Sequence, residues 1–413
     1  MTGQPIRPSI EARLTTAGLP PLPRTAWLEL DLDALTANLA TLRTLAGPGV
    51  PIRPVVKADA YGPGALPIAA ALEAAGADGL CVATIDEALE LRQAGVRLPI
   101  LVLYPVPGTW LDVAREHAID VTAGDPVLVE RLLAAPDGTP PVGVQLEIET
   151  GLGRGGFPIE LAAGVAARLA ERASLRVSGL WTHLQAPEDR ALTERQVERF
   201  EAAVEAIAAA GVALPPRHVA ASGSLLGEAI AAYDGARPGL SIYGILPDPL
   251  DGVEGTASTA RANLQPVLSL HARPVRVVDL PDGWGISYGP SFTTTRPSRI
   301  ATLPIGYGDG WARSLSNRAE ALVRGRRVPI VGTVAMDAIM VDVTDVPGPP
   351  VGVDDLFTLI GAQGDQRIGA HDLAQTRTTI SWEIVTAMSR RLPRVYHSAA
   401  GPLSVRYLVQ RSG

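Results

Sequence analysis

Lys57 is the residue of this sequence with the most distinctive chemical capacity. Of the 36 basic side chains it is the only lysine, so all the others are arginines. A guanidinium stays protonated, whereas an ammonium group in apolar surroundings can lose its proton, act as a nucleophile and condense with an aldehyde. Lys57 follows the apolar pair Val55–Val56 and precedes the turn-forming residues 59–64. This pattern predicts a nucleophilic lysine at the C-terminal tip of a β-strand.

Five other side chains with chemical capacity stand at strand ends, helix starts or turns. They are Arg154 in the glycine-rich segment 149–156, His183 at a strand end, Ser222 at a helix start, Arg237 before Pro-Gly, and Tyr288 before a glycine. A hydroxyl and free N–H groups at a helix start suit a phosphate dianion, although ordinary helix capping gives the same pattern. Judged from the residues alone, Arg154 also fits a surface loop, and Tyr288 fits an ordinary turn aromatic better than a catalytic group.

Strand-like and helical segments alternate along the first part of the chain. The candidate strands are 53–57, 79–83, 99–104, 118–121, 143–149, 176–183, 217–221 and 238–243. The candidate helices include 34–45, 65–75, 85–94, 160–173 and 191–210. Eight strands with intervening helices predict a (β/α)8 α/β barrel, which carries catalytic residues at the C-terminal ends of its strands. A doubly wound open sheet is the alternative, but no G-x-G-x-x-G turn supports it.

The pattern changes after Pro247. Residues 248–264 resemble a polar linker, and short strand-like runs with frequent turns follow, interrupted by one helix at 381–392. These features predict a mostly antiparallel β domain. The predicted organisation is therefore an N-terminal lead-in over 1–25, a cofactor-binding barrel over 26–250, and a C-terminal β domain over 251–413.

Composition excludes several classes of function. The net charge of −7 argues against a surface that binds a nucleic-acid backbone. Cys81 is the only cysteine, which excludes an intrachain disulfide and a metal site built from several cysteines. No stretch reaches the roughly 18 apolar residues of a membrane span. We therefore expect a cytoplasmic protein with no nucleic-acid, membrane or metal partner.

The segment Val56–Gly62 closely resembles the pyridoxal 5′-phosphate lysine segment V-K-A-N-A-Y-G of the alanine racemase family. The resemblance extends from about Ala26 to Tyr407. Four further matches lie before residue 250: Glu149–Arg154 with D-T-G-M-G-R, Thr182–Leu184 with T-H-F, His218–Ser222 with H-x-A-N-S, and Arg237–Gly244 with R-P-G-I-x-x-Y-G. Four more lie after it: Ser287–Gly289 with S-Y-G, Tyr307–Arg313 with the family's entrance segment, Met336–Asp337 with M-D, and Thr379–Glu383 with T-I-S-Y-E. A barrel followed by a β domain is also the arrangement of this family.

The resemblance implies interconversion of L- and D-alanine, which supplies D-alanine for cell-wall synthesis, by a two-base mechanism that uses Lys57 and Tyr288. It implies that pyridoxal 5′-phosphate is bound by Lys57, Tyr61, Arg154, His183, Ser222, Arg237, Gly239, Leu240 and Trp382, and that substrate is bound by Arg154, Tyr307 and Met336. It also implies a head-to-tail homodimer in which the β domain of one subunit reaches the barrel of the other.

The sequence departs from the family pattern at three informative positions. Glu147 stands where many members carry a carbamylated lysine, and we expect its carboxylate to pair with Arg154. Ala221 replaces an asparagine, and Trp382 replaces a tyrosine whose hydroxyl reaches the cofactor phosphate. These last two changes leave serine or broader-specificity racemase activity as the alternative function.

Two other kinds of protein share parts of this pattern. Basic amino-acid decarboxylases have the same architecture but use a cysteine in the β domain, whereas Cys81 lies in the predicted barrel. Non-catalytic cofactor-binding proteins have the barrel alone. The long second domain argues against them.

Overall fold

The computed structural model describes residues 8–228, 230–250 and 258–409. The chain forms two compact units. We call residues 35–265 the barrel unit, and residues 1–34 together with 266–413 the β unit. This division differs from the predicted one because the first strand, Ala26–Asp31, belongs to the sheet of the β unit. The predicted linker lies partly outside the described residues, and its last part forms the helix Ser258–Asn263.

The barrel unit is built on a ring of parallel strands. In the described residues these are Leu80–Val82, Ile100–Val102, Ile119–Ala123, Val142–Glu147, Leu175–Trp181, Arg217–His218 continued by Ala220–Ala221, and Ala236–Arg237. Residues 52–55 close the ring, because Ile52 bridges Ala236 and Val55 bridges Cys81. The predicted (β/α)8 barrel is confirmed. The last strand ends before Pro238, which has no N–H to give to the ladder, and Leu240–Tyr243 forms a 3₁₀ turn instead.

Helices follow the strands around the barrel unit. They are Leu32–Ala46, which begins in the β unit, Ala65–Ala74, Ile85–Gln93, Leu111–Glu116, Pro126–Leu133, Ile159–Ala170, Arg190–Ala209, Ser222–Leu226 and Ser258–Asn263. In Ile159–Ala170 the buried residues are Ala162, Val165, Ala166 and Leu169. This 3.6-residue spacing places one apolar stripe on the helix, and such a stripe faces the core. Nowhere in the described residues is a helix both long and apolar enough to span a membrane.

The β unit contains one mixed, mostly antiparallel sheet, as predicted. In spatial order its strands are Arg276–Leu280, Ser298–Leu303, Ile339–Asp342, Arg326–Val331, Glu320–Val323, Phe357–Gln363, Leu268–Ala272, Ala26–Asp31, Arg394–Ser398 and Gly401–Arg406, and Gln366–Ile368 pairs with Phe357–Gln363. The described pairings are antiparallel except that of Ala26–Asp31 with Arg394–Ser398. The C-terminal part of the β unit also contains the α-helices Ala370–Arg377 and Ser381–Thr386.

The described part of the N-terminal lead-in is packed into the β unit. The helix Ile10–Thr16 is capped by Ser9, and its apolar residues Ile10 and Leu14 contact Trp27 and Val395. Arg13 on the same helix forms a two-pronged ion pair with the buried Glu29 carboxylate. A buried carboxylate needs such a partner to remain ionised, so the lead-in completes the packing of this sheet.

Candidate active site

The lysine turn begins where the first barrel strand ends. Lys57 is followed by Ala58, Asp59, Ala60 and Tyr61, whose φ angles are 54°, 54°, 57° and 60°. Four consecutive left-handed residues other than glycine are unfavourable, at roughly 1–2 kcal/mol for each residue. The surrounding structure must therefore hold this turn in place.

Two carboxylates hold the lysine turn. The Glu87 carboxylate accepts hydrogen bonds from the backbone N–H groups of Ala58, at 2.6 Å, and of Ala83, at 2.7 Å. The Asp59 carboxylate accepts one from the N–H of Ala65 at 2.8 Å, where the next helix begins. The turn thereby fixes Lys57 at its start and Tyr61 at its end.

The environment of Lys57 disfavours the charged form of its amine relative to a lysine in water. Burial lowers the pKa of the Lys57 ammonium, and the positive charge of Arg154 lowers it further. The negative charge of Glu87 acts in the opposite direction. Because only the neutral amine is a nucleophile, a lowered pKa increases the reactive fraction at neutral pH.

A cluster of hydrogen-bond donors lies around Ser222. Its hydroxyl oxygen accepts from the N–H of Gly239 at 2.9 Å, and from the N–H and hydroxyl of Ser241 at 3.2 and 2.9 Å. A Cβ atom on Gly239 would lie 2.5 Å from the Tyr61 hydroxyl, so only glycine leaves room for that group. Leu240 continues this backbone and is buried. We call Tyr61, Ser222, Gly239, Leu240 and Ser241 the donor cradle, and its hydroxyl and N–H groups suit a phosphate dianion.

The Tyr61 side chain is itself supported within the barrel unit. Its ring centroid lies 5.2 Å from that of Tyr243. The Tyr243 hydroxyl donates to the carbonyl oxygen of Val55 at 2.9 Å, two residues before Lys57. The donor cradle and the lysine strand are thus joined through two phenol rings that pack at a tilt of 35°.

Arg237 is a buried cation with a side chain only 3 % exposed. Its guanidinium donates to the carbonyl oxygens of His218, at 2.6 Å, and Thr182, at 2.9 Å, and also to the ring nitrogen Nδ1 of His218. The guanidinium carbon lies 4.8 Å from the centroid of the Trp181 ring. Burial lowers the pKa of Arg237 to about 10, so the group stays positively charged at neutral pH.

Glu147 is a buried titratable group, and His183 is a half-buried one in the same unit. Burial and the positive charges of Arg237 and Arg154 lower the pKa of His183 to about 3, so its ring is neutral. Burial raises the pKa of Glu147 to about 7, while Arg154 and Arg237 act in the opposite direction. A Cβ atom on Gly124 would lie 2.9 Å from a Glu147 carboxylate oxygen, so this strand end admits only a small residue.

The expected pairing of Glu147 with Arg154 is not formed in the structure. Arg154 lies in the glycine-rich loop 151–156 with an exposed side chain, and its guanidinium makes no ion pair within the described residues. The charge of Arg154 still acts on Lys57, His183 and Glu147. The loop therefore leaves Arg154 close to the site with its hydrogen-bonding capacity unused.

Four of the predicted site residues belong to the β unit. The Tyr288 side chain is 75 % exposed and follows Ser287, whose φ is 65° and whose hydroxyl donates to the carbonyl oxygen of Thr333. Tyr307 and Met336 are 44 % and 51 % exposed, and their loops are joined by the hydrogen bond from Tyr307 N–H to Ala335 C=O. Trp382 is half-buried on the helix Ser381–Thr386.

A buried ion cluster supports the loops of Tyr307 and Met336. Asp309 is fully buried and pairs with Arg24 at 2.7 Å and with Arg391 at 3.3 Å. Arg391 also pairs with Asp337 at 2.6 Å. The residue types and local spacing give no signal for this cluster, because its members come from three distant parts of the sequence.

Comparison with known proteins gives the same two-part division. The family model for the alanine racemase N-terminal domain matches residues 30–247, and that for the C-terminal domain matches residues 267–396. The chain belongs to the alanine racemase family. Its relatives include the alanine racemase of Symbiobacterium thermophilum, 41 % identical over 377 residues that make up 90 % of this chain and 97 % of that protein. The alanine racemase of Halothermothrix orenii is 36 % identical over 384 residues, 92 % of this chain and 98 % of that protein.

Solved structures of alanine racemases share this fold. The enzyme from Bacillus anthracis with bound L-Ala-P matches with a TM-score of 0.84 and 33 % identity, over 94 % of this chain and 98 % of that one. The enzyme from E. faecalis matches with a TM-score of 0.82 and 32 % identity, over 91 % of this chain and 98 % of that one. Within this alanine racemase fold, the structure gathers Lys57, Tyr61, Arg154, His183, Ser222, Arg237, Gly239 and Leu240 in the barrel unit, and it places Tyr288, Tyr307, Met336 and Trp382 in the β unit.

Proposed function

We propose that this protein is a pyridoxal 5′-phosphate-dependent alanine racemase, an isomerase that interconverts L- and D-alanine. The observation that carries the proposal is the lysine turn. It links the only lysine, with its lowered pKa, to Tyr61, whose hydroxyl reaches the donor cradle. A nucleophilic amine at the start of the turn, and a cradle suited to a phosphate around the hydroxyl of Tyr61 at its end, match a ligand that has an aldehyde and a phosphate.

The residues present fit this cofactor. Lys57 would hold its aldehyde carbon covalently, and Tyr61, Ser222 and the N–H groups of Gly239 and Leu240 would bind its phosphate. Arg237, His183 and Trp382 would contact the remainder. When bound, the cofactor withdraws electrons from the substrate and so acidifies its Cα–H bond. Arg237 would donate a hydrogen bond to the ring nitrogen and, since its pKa of about 10 keeps its own proton in place, would not protonate it at neutral pH.

The proposed proton transfers use one base on each face of the substrate. For one enantiomer, the neutral Lys57 amine takes the Cα proton, and the Tyr288 hydroxyl gives a proton to the opposite face. For the other enantiomer, deprotonated Tyr288 accepts and the Lys57 ammonium donates. Arg154, Tyr307 and the Met336 backbone would hold the substrate carboxylate and the entrance to the site. Each turnover leaves the two bases with exchanged protonation states, which proton exchange with water then restores.

The exposed position of the β-unit residues supports a homodimer. Tyr288, Tyr307 and Met336 are all large and exposed in the isolated chain. Tyrosine and methionine side chains are enriched at protein–protein interfaces relative to the rest of the surface. We propose a head-to-tail dimer in which these residues complete the barrel site of the second copy. Supply of D-alanine for cell-wall synthesis and a cytoplasmic location belong to the same proposal.

Trp382 and Ala221 favour a second candidate, racemisation of serine or a broader set of amino acids. An indole cannot place a hydroxyl where the family tyrosine does, and it occupies a larger volume. The deciding experiment is racemisation of a panel of L-amino acids by the purified protein with added cofactor. We expect alanine to have the highest kcat/KM. A higher value for serine would favour the second candidate, and racemisation of none would contradict both.

A further inference from the structure

A row of polar side chains crosses the interior of the barrel unit below Arg237. The Nδ1 atom of His218 faces the Arg237 guanidinium, and its Nε2 lies 2.7 Å from the Gln145 side-chain oxygen. The Gln145 amide nitrogen lies 3.0 Å from a carboxylate oxygen of Asp120. The same Asp120 oxygen accepts from the Ser178 hydroxyl at 2.8 Å. We call Arg237, His218, Gln145 and Asp120 the polar row.

Glycines make room for the polar row. His218 and Gln145 lie on strands separated by Leu175–Trp181, and a Cβ atom on Gly179 of that strand would lie 2.6 Å from the Gln145 oxygen. A Cβ atom on Gly143 would lie 1.9 Å from an Asp120 carboxylate oxygen. Any other residue at either position would displace a member of the row.

The hydrogen bonds of the polar row can run in only one direction. An ionised Asp120 carboxylate only accepts, so the Gln145 amide nitrogen must donate to it and the Gln145 oxygen must point to His218. The Nε2 of His218 must then carry the proton, which leaves Nδ1 of the neutral ring as an acceptor. Arg237 can only donate, so it matches this tautomer. In the other tautomer a donor would face Arg237 and an acceptor would face Gln145.

The neutral state of His218 agrees with its surroundings. The ring is buried and stacks on Trp181 with centroids 6.2 Å apart. Burial and the charge of Arg237 lower its pKa well below the usual value. The neutral ring therefore carries one proton, and the Asp120 carboxylate at the other end of the row determines which ring nitrogen holds it.

We propose that Asp120 and Gln145 are positioning residues that fix the Nε2–H tautomer of His218 and so hold the Arg237 guanidinium in one orientation. Neither residue belongs to the donor cradle or contacts Lys57 through any hydrogen bond found in the described residues. The consequence for catalysis rests on the proposed function, in which Arg237 faces the cofactor ring nitrogen. The assignment of the tautomer does not depend on that function.

The test combines ring-nitrogen NMR of histidine-labelled protein with racemisation kinetics, and a His218→Asn variant identifies the His218 signals. In the wild type, with and without added cofactor, we expect separate signals for a protonated Nε2 and an unprotonated Nδ1. Gln145→Met removes the acceptor for Nε2–H at similar length. We expect it to abolish the fixed tautomer and to lower kcat/KM by roughly ten- to hundredfold, the range for a buried donor left without its partner.

Exchanging the amide at position 145 with the carboxylate at position 120 tests whether the tautomer of His218 can be restored. Gln145→Glu alone places two carboxylates side by side, and we expect it to protonate His218. In the double variant with Asp120→Asn, the new glutamate carboxylate accepts hydrogen bonds from the new asparagine amide and from Nε2–H of His218. His218 is therefore again required to carry its proton on Nε2. We expect the double variant to regain the Nε2–H tautomer and to reach within about threefold of wild-type kcat/KM, a difference well below that of one lost hydrogen bond.

Thr122→Val is the matched control, because the Thr122 hydroxyl is buried on the Asp120 strand and, among the described residues, donates to the carbonyl of Val102 outside the row. This variant should change neither the ring-nitrogen signals of His218 nor kcat/KM. The proposal is overturned if Gln145→Met keeps the wild-type tautomer, or if the double variant folds but resembles Gln145→Glu alone. Absence of racemisation by the wild type, with the tautomer changes as expected, would contradict the proposed function and leave the positioning role intact.

Discussion

The barrel unit buries or half-buries its predicted site residues except Arg154, whereas the β unit leaves three of its four exposed. Arg237 and Glu147 in the barrel unit are 3 % and 6 % exposed, whereas Tyr288 and Met336 in the β unit are 75 % and 51 % exposed. In the barrel unit, burial and neighbouring charges shift the pKa values of Lys57, His183, Glu147 and Arg237. A single chain therefore buries most of the groups proposed to hold the cofactor, and it leaves Tyr288, the proposed second base, at its surface.

This difference separates two kinds of variant. Changes in the barrel unit should alter ligand binding, titration and stability even without a substrate. Changes at the exposed residues of the β unit should alter turnover and leave those properties nearly intact. The four predictions below test that separation, from the largest expected effect to the smallest.

Replacement of Lys57 should have the largest effect. Lys57→Ala removes the covalent attachment of the cofactor, so the visible absorbance of the bound cofactor and racemisation should both be lost. Lys57→Arg keeps the charge but cannot form the bond, and we expect the same losses. Because the chain has one lysine, borohydride reduction of the wild type with cofactor should label a single peptide. Unchanged spectra in Lys57→Ala would refute the role of the barrel unit.

Tyr288→Phe tests the β unit. It removes only the hydroxyl of an exposed side chain, so cofactor binding and thermal unfolding should match the wild type. Racemisation should fall by roughly 10²–10⁴-fold, the usual effect of losing a general acid or base. With α-deuterated substrate, the loss should differ between L- and D-alanine, since each uses Tyr288 in a different step. Near-wild-type rates in both directions would remove Tyr288 from the mechanism.

Glu147→Gln tests the burial of charge in the barrel unit. The folded-state pKa of about 7 lies above the ordinary value of 4.5, so the protonated carboxyl favours the folded state. That stabilisation is complete below about pH 4.5 and disappears as the pH rises through about 7. Between pH 5 and pH 8, the free energy of unfolding of the variant should therefore rise relative to the wild type, by up to about 3 kcal/mol.

Urea unfolding at the two pH values measures this difference. Glu160→Gln serves as the control, because Glu160 is an exposed glutamate of the same unit and should show no such trend. Equal differences at pH 5 and pH 8 for Glu147→Gln would show that its carboxylate is already ionised in the folded state.

Trp382→Tyr should have the smallest effect. It restores a hydroxyl that could reach the phosphate, and recovery of about 1.4 kcal/mol would tighten reconstitution by added cofactor about tenfold. It should also change the ratio of alanine to serine racemisation. Titration of cofactor into the protein and a two-substrate rate comparison measure the two effects. If neither changes, Trp382 does not face the site.

Local sequence patterns were sufficient for the barrel and the antiparallel sheet. Alternating strands and helices, turn residues and the isolated lysine each act over a few positions, and such signals survive without knowledge of the fold. Glu87 was also accessible in principle, because Thr84 and Glu87 form a capping box three residues apart. Its second role, in holding Ala58, depends on a strand that lies elsewhere in the chain.

The contacts that join distant segments could not be predicted. Ser241 accompanies Ser222 in the donor cradle, and Gln145 meets His218 only because Gly179 lies between them in space. The pairing of Ala26–Asp31 with Arg394–Ser398 was equally unpredictable, because the residues of a strand do not indicate which distant strand it pairs with. The exposure of Arg154 also follows from the path of its loop, which residue types do not determine.

The position of Ala26–Asp31 in the sheet has a consequence for synthesis on the ribosome. This strand pairs with Leu268–Ala272 and Arg394–Ser398, and both are made only after the entire barrel unit. The nascent chain must therefore carry a strand with two unpaired edges while the barrel unit folds, which is the condition under which edge strands aggregate. The helix Ile10–Thr16 emerges first and contacts Trp27. This helix can cover the apolar face of Ala26–Asp31 until the two partner strands have been synthesised.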